Sequence, residues 1–294
     1  MPKHSQHRSR GKYALDADDI EWLESTSDTT LADDGPPAGD RWSTWDQSTP
    51  TQKGPKPYPG WLVTELAAVD TEHGVLKTGK EADVHLISRG VPGTERVCLL
   101  AAKRYRSAEH RLFHRDSGYL EGRRTHDDRV NRAMANRTAF GRQAIAGQWA
   151  VAEFTALCRL SELGVPVPYP VQIVGTEILQ EFIGTPDGYA APRLAQVSDG
   201  LDDLWEQLVA AMVTLAREGL AHGDLSPYNL LVHDGRLVII DLPQIVDVIA
   251  HPAGPSFMDR DARNVATWFA AKGVPTADPD SLAELLRAET GIIR

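Results

Sequence analysis

His222 to Gln244 reads HGDLSPYNLLVHDGRLVIIDLPQ. Two apolar runs, Leu230–Val232 and Leu237–Ile240, flank the dipeptide Asp234-Gly235. A two-residue hairpin turn of type I′ needs positive φ at both central positions, and Asp-Gly adopts it at little cost. That turn fixes the register: Val232 faces Leu237, Leu230 faces Ile239 and Asn229 faces Ile240. Asn229 and Asp241 therefore share the open end of the ribbon. Asp224 lies just before, in the loop that enters it. Oxygen-bearing side chains converging in this way suit a hard cation such as Mg²⁺, which keeps several waters and takes phosphate oxygens as further ligands. Either aspartate alone reads as a turn cap; the set with its register reads as a metal site.

The surrounding chain is that of an ordinary globular protein, with 294 residues, 41% of them hydrophobic. Its net charge of −10 excludes a general affinity for nucleic acid or an anionic membrane. Cys98 and Cys158 stand far apart with no CxxC pattern, which argues against a disulfide scaffold or a zinc site. The basic N-terminus MPKHSQHRSRGKY has no apolar segment behind it, and no stretch approaches the roughly 20 apolar residues of a membrane helix. These features together predict a cytoplasmic protein with no membrane partner.

Residues 1–57 are rich in Ser, Thr, Asp, Gly and Pro and predict a mostly disordered tail. Trp22, Trp42 and Trp45 are the exceptions, as aromatics that dock on the folded body or on a partner, or stand isolated in the tail. A strand-rich part follows over 58–184. It is expected to hold a short helix in WLVTELAAV, two strands around a turn at Thr78–Lys80, and a third strand on which Val97, Leu99, Ala101 and Lys103 share a face. A polar insert over about 107–147 precedes a helix striped by Val151, Phe154, Leu157, Leu160 and Leu163, then two short strands. Over 185–294 the pattern is mainly helical: a helix carrying Leu204, Leu208, Met212 and Leu215, the hairpin, and two short helices around 259–272 and 279–289. The fold class is α+β.

The hairpin region resembles a protein-kinase catalytic loop and metal segment. His222-Gly223-Asp224 with Asn229 is similar to H-x-D-x-x-x-x-N, and Asp241 falls at the D-F-G aspartate. With Leu242-Pro243-Gln244 after that aspartate and Leu225-Ser226-Pro227-Tyr228 inside the loop, the segment resembles the RIO family of atypical protein kinases. TGKEADVHL (Thr78–Leu86) resembles that family's S-T-G-K-E-A-N-V-Y phosphate loop, with Lys77 in place of its Ser and His85 in place of its Tyr. AAKRYR resembles its ATP-lysine strand, FIGTPDGYAAPRL its linker between lobes, and HPAGPSFMDRDARNV the signature after its metal aspartate. The matches run in order over roughly 60–272. No winged-helix pattern precedes them, which fits the first RIO subfamily.

The resemblance implies a two-lobed kinase-like fold with a shortened helical C-lobe, using ATP with Mg²⁺, or Mn²⁺ in its place. It implies Lys103 on the α/β-phosphates, Glu153 paired with it, and a phosphate loop of Thr78, Gly79, Lys80 and Glu81. Backbone groups of Glu181 and Ile183 would meet adenine, with Gln180 beside them. Asp224 would orient the substrate hydroxyl, and Asn229 with Asp241 would hold the metal. In this family the aspartate matching Asp241 can itself become phosphorylated. His222 is expected to be structural.

From Lys103 to Arg142 the chain carries 11 Lys/Arg against 5 Asp/Glu. The arginines of this insert, Arg111, Arg115, Arg123, Arg124, Arg129, Arg132, Arg137 and Arg142, suit phosphates of RNA or an acidic protein, but the little aromatic interleaving favours a solvated loop that partly neutralises its acidic neighbours. His110 and His114 have metal-ligand spacing with nothing to complete a set. Three functions stand at this point: a serine/threonine kinase acting on a protein or on itself, an ATPase switch, and a small-molecule phosphotransferase. The last is least favoured, because little helical chain follows Asp241.

Overall fold

The computed structural model describes Pro36, residues 38–106 and residues 139–291. Residues 1–35, with Trp22, and the basic insert up to residue 138, with His110 and His114, lie outside the described residues.

Alternation along the strands builds the first layer. Strands β2 (Val69–Thr78), β3 (Ala82–Gly90) and β4 (Val97–Tyr105) form an antiparallel meander. With β1 (Arg41–Trp42), β5 (Pro170–Val174) and β6 (Glu177–Glu181) they make one sheet of order β1-β2-β3-β4-β6-β5. On β4, Cys98, Leu100 and Ala102 enter a core with Ile87, Val171 and Leu179. Lys103 is on the opposite face, in a row with Val84 of β3 and Lys77 of β2.

The expectation of a tail to residue 57 fails over its last third. Arg41 and Trp42 pair with Asp70 and Val69. Trp45 is only 4% exposed; Tyr58 packs edge-on against it at 5.0 Å and Lys53 lies over its ring at 4.7 Å. Gly54 donates to the Val171 carbonyl at 3.0 Å. Beneath this strap, fully buried Arg89 holds Asp70 with two bonds, at 2.7 and 3.1 Å, and Gln172 at 2.9 Å, while Gln172 reaches Thr44 at 2.7 Å. A buried charge is tolerable only with such complete pairing.

The helix expected in WLVTELAAV is absent. Leu62 and Val63 both sink under the sheet while Leu66 is 80% exposed. The chain instead makes two isolated turns, Pro59 to Leu62 and Glu65 to Ala68, so tertiary burial overrides helix propensity here.

Helix α1 (Ala139–Glu162) starts earlier than expected and takes in the end of the polar insert. Its residues Phe154, Leu157 and Leu160 join a core shared with α2 (Leu201–Arg217), α3 (Gly254–Ala271) and α4 (Pro279–Glu289). Leu204, Leu208, Met212 and Leu215 of α2 are all buried, as their spacing predicts. Helix α3 is longer than expected, since Pro255 is compatible with a first helical turn. The ribbon β8 (Leu230–His233) and β9 (Arg236–Ile239) and the short pair β7 (Leu220–Ala221) and β10 (Val246–Asp247) lie in this helical part.

Candidate active site

The hairpin turn has the predicted chemistry. Asp234 and Gly235 have φ of 50° and 71°, and the register pairs Val232 with Leu237 and Leu230 with Ile239. Ile240 donates to the Asn229 carbonyl at 3.0 Å, so Asn229 and Asp241 lie at the same open end of the ribbon. The Asn229 side-chain amide donates to the Asp224 carbonyl at 2.9 Å and ties the entering loop to that end.

Asp241 itself has φ of 69°, in the left-handed region that costs a non-glycine residue about 1–2 kcal/mol. This turn aims its carboxylate at the sheet. Lys103 Nζ donates to Asp241 Oδ1 at 2.8 Å and to Glu153 Oε1 at 2.7 Å. Glu153, on α1, is 1% exposed, and it also accepts from Tyr105 Oη and, at 3.2 Å, from the Leu242 N–H. One carboxylate thereby joins strand β4, helix α1 and the segment after the ribbon. Burial works to lower the Lys103 pKa, but the Glu153 and Asp241 carboxylates outweigh it and leave it raised. Burial pushes the Asp241 carboxyl up, and the Lys103 ammonium more than offsets it, so the net shift is down. Burial, and then Glu153, raises the Tyr105 phenol well above its ordinary value.

Asp224 is exposed at the cleft, while its neighbours are fixed. Gly223 N–H and Leu225 N–H donate to the two oxygens of Asp261, at 2.7 and 2.9 Å. Arg260 donates to the Gly223 carbonyl and Asn264 to that of Leu225, at 3.3 Å for the latter. Gly223 has φ of 89°, and a Cβ there would lie 2.4 Å from the Gln244 carbonyl oxygen, so only glycine fits. His222 is 1% exposed. Its Nε2 faces the Ile240 carbonyl at 3.1 Å and its Nδ1 faces the Asp224 N–H at 3.3 Å, which requires the proton on Nε2. The imidazole thus holds the loop against the ribbon, as expected.

Arg260, Asp261 and Asn264 are the residues that sequence reasoning left without a role. A signal was present: Asp261 interrupts the apolar stripe of Met258, Ala262, Val265 and Phe269, and a carboxylate on a buried face requires donors.

A cleft of about 760 Å³ lies between the sheet and the helical part. Of the residues singled out in the sequence, Gly79, Lys80, Glu81, Lys103, Glu153, Glu181, Ile183, Asp224 and Asp241 form its walls; Thr78 and Asn229 do not. The Gly79 N–H closes the loop turn on the Ala82 carbonyl at 2.9 Å. At the far end the Ala191 N–H occupies the Ile183 carbonyl, leaving the Ile183 N–H unpaired among the described residues. The Glu181 carboxylate accepts from the Tyr169 N–H at 3.0 Å, and burial raises its pKa. No group of three or more His, Cys, Asp or Glu fit to hold a metal occurs among the described residues.

A six-stranded sheet whose lysine pairs with a glutamate on helix α1, set over a helical part with the loop and ribbon, defines a two-lobed protein-kinase-like fold. Two solved structures share it: the Rio2 kinase from Chaetomium thermophilum, with a TM-score of 0.52 and 22% identity over 73% of this chain and 63% of that one, and its ADP/Mg²⁺-phosphoaspartate complex, with 0.51 and 21% over 76% and 68%. The RIO domain family model matches residues 99–282, and the chain belongs to the RIO family. It is 36% identical over 225 residues to the RIO-type serine/threonine-protein kinase Rio1 of Haloferax volcanii, covering 76% of this chain and 71% of that protein. It is 30% identical over 233 residues to the serine/threonine-protein kinase RIO1 of Chaetomium thermophilum, covering 75% of this chain and 43% of the fungal one.

Proposed function

We propose that this chain is an ATP- and Mg²⁺-dependent serine/threonine protein kinase of the RIO type, transferring the γ-phosphate to a protein hydroxyl or to itself. The observation that carries this reading is Lys103, held between Glu153 and Asp241 in the same cleft that Asp224 lines. Lys103 would bind the α/β-phosphates and Glu153 would keep it in place, with Gly79, Lys80 and Glu81 along the phosphates and Thr78 at the base of that loop. The Ile183 N–H and backbone of Glu181 would receive adenine. Asp224 would orient the acceptor hydroxyl and take its proton.

The residues present fit a divalent cation. Asp241 Oδ2 and Asn229 Oδ1 accept no hydrogen bond among the described residues, and both are hard oxygen donors. Two protein ligands suit Mg²⁺, or Mn²⁺ in its place, because phosphate oxygens and water complete the shell. Once bound, the ion supplies positive charge against the transferring phosphoryl group.

A second reading has its own support. One of the two similar Rio2 structures is a phosphoaspartate complex with ADP and Mg²⁺. In this chain Asp241 Oδ2 would attack the γ-phosphorus, the bond to the β–γ bridging oxygen would break, ADP would leave, and water would later hydrolyse the acyl phosphate. Such a cycle would make the chain an ATPase switch for a ribonucleoprotein or protein partner. The basic insert over 107–147 is our candidate for contact with RNA or an acidic protein. No helix among the described residues is long and apolar enough to cross a membrane. We assign the chain to the cytoplasm because Cys98 and Cys158 are buried and unpaired, as in a reducing compartment.

The test is incubation with γ-labelled ATP and Mg²⁺, beside Asp224→Ala and Asp241→Ala. Both substitutions are expected to abolish transfer or turnover; retained activity in both would remove the site assignment. Label lost to hydroxylamine would identify an acyl phosphate on Asp241, and resistant label a phosphoserine or phosphothreonine.

A further inference from the structure

The charge of Lys103 is already engaged by two carboxylates, yet the cleft contains cations that are not. Lys77, Val84 and Lys103 occupy one row across β2, β3 and β4, so their side chains leave the same face of the sheet. All three line the cleft. One strand, β3, lies between the lysines, and two inter-strand spacings put their backbones about 10 Å apart. Lys77 makes no hydrogen bond or ion pair among the described residues. On the opposite wall Arg193, in the linker before α2, also lines the cleft and pairs with no carboxylate among the described residues. Burial lowers the Lys77 pKa; Asp241 opposes that shift, and Arg193 and Lys103 add to it. Like charges that line one cleft and are bonded to no carboxylate, one of them exposed, are available to an anionic ligand.

We propose that Lys77 is a further phosphate-binding cation of this cleft, beside Lys80 and Lys103, and that together with Arg193 it selects nucleoside polyphosphates over the nucleoside. The inference rests on the nucleotide reading above and goes beyond it, because Lys77 stands where the resembled phosphate loop has a serine. A lysine there adds a full charge where a hydroxyl would offer one hydrogen bond, and charge-assisted bonds to phosphate are the stronger kind.

The experiment is calorimetric titration of the full chain with Mg-ATP and, separately, with adenosine, for the unaltered protein, Lys77→Gln, Lys77→Arg, Arg193→Gln and Lys103→Met. Lys77→Gln is expected to weaken Mg-ATP about ten-fold, the loss of one charge-assisted contact, and to leave adenosine unchanged. Lys77→Arg should retain ATP affinity, and Arg193→Gln should weaken ATP in the same direction. Thermal unfolding of each variant separates a lost contact from a lost fold. Equal ATP affinity for Lys77→Gln and the unaltered protein, with Lys103→Met impaired, would overturn this inference and spare the nucleotide reading. Equal weakening of ATP and adenosine would mean that Lys77 only shapes the loop, and would also overturn it. No ATP binding by the unaltered protein would remove both.

Discussion

Replacing Asp261 by alanine tests whether the catalytic loop is built from below. Asp261 is 1% exposed and accepts from the N–H groups on either side of Asp224, at 2.7 and 2.9 Å. Alanine leaves both donors buried without partners, at about 1–3 kcal/mol each. Part of that loss is recovered, because burial raises the Asp261 pKa and so disfavours its charge in the native state. The net cost is therefore about 2–4 kcal/mol, below the simple sum of the two bonds. For a domain of this size that corresponds to a fall in Tm of about 4–16 °C. The chemical effect is separable from the stability effect. With its flanking amides released, Asp224 loses its position, and a displacement of about 1 Å costs on the order of 10²-fold in rate. Lys103 and Glu153 are anchored elsewhere, so nucleotide affinity should hold. Thermal unfolding, steady-state turnover of ATP and nucleotide titration measure the three quantities. Asp261→Asn, which keeps one acceptor, should fall between alanine and the native residue. A Tm within about 1 °C of the native protein with turnover within about two-fold would refute the reasoning, since neither the bonds nor their bearing on Asp224 would then have mattered.

Three other outcomes are expected. Trp45→Ala removes a large side chain from the core beneath the sheet and should destabilise by about 3–5 kcal/mol in urea unfolding; a change under about 1 kcal/mol would mean that the strap is not docked. Gly223→Ala, at φ of 89° and against the Gln244 carbonyl, should reduce ATP turnover by an order of magnitude or more and lower Tm; native turnover would show that the loop has another conformation in solution. The Asp241 carboxyl has a lowered folded-state pKa, so its contribution to stability is present above the ordinary value of 3.8 and is lost as pH falls through the lower, folded value. Asp241→Asn should therefore be less stable at neutral pH and show a shallower acid loss below pH 3.8; parallel acid curves would contradict the Lys103 pairing.

What could be read from the sequence follows the range of the interactions involved. The hairpin was legible because Asp234-Gly235 states its own turn and register, and Asn229 and Asp241 come with it. The α2 stripe is similarly local. The strap was not legible. Arg41 bonds Glu177 and Thr44 bonds Gln172 across 136 and 128 residues of chain, so a composition rich in Ser, Thr and Pro conceals its docking. The early start of α1 was hidden by Gly141 and Gly147, weak helix formers inside the helix. The Lys103–Glu153 pair was inferred only through resemblance. Its geometry depends on Tyr105 and the Leu242 N–H, whose donation to Glu153 no spacing rule predicts.

The strap also has a consequence for solubility. At one end its Arg41 and Trp42 form the outer strand β1 on β2, and at the other Lys53 and Gly54 bond β5, the outer strand of the opposite margin. Open strand edges are templates on which further chains can add. One belt of residues thus occupies backbone groups on both margins, and Gly54 lies so near β5 that a Cβ there would be 1.8 Å from the Pro170 carbonyl oxygen. A cut before Pro59 would therefore unmask both edges at once, leaving a sheet prone to polymerise.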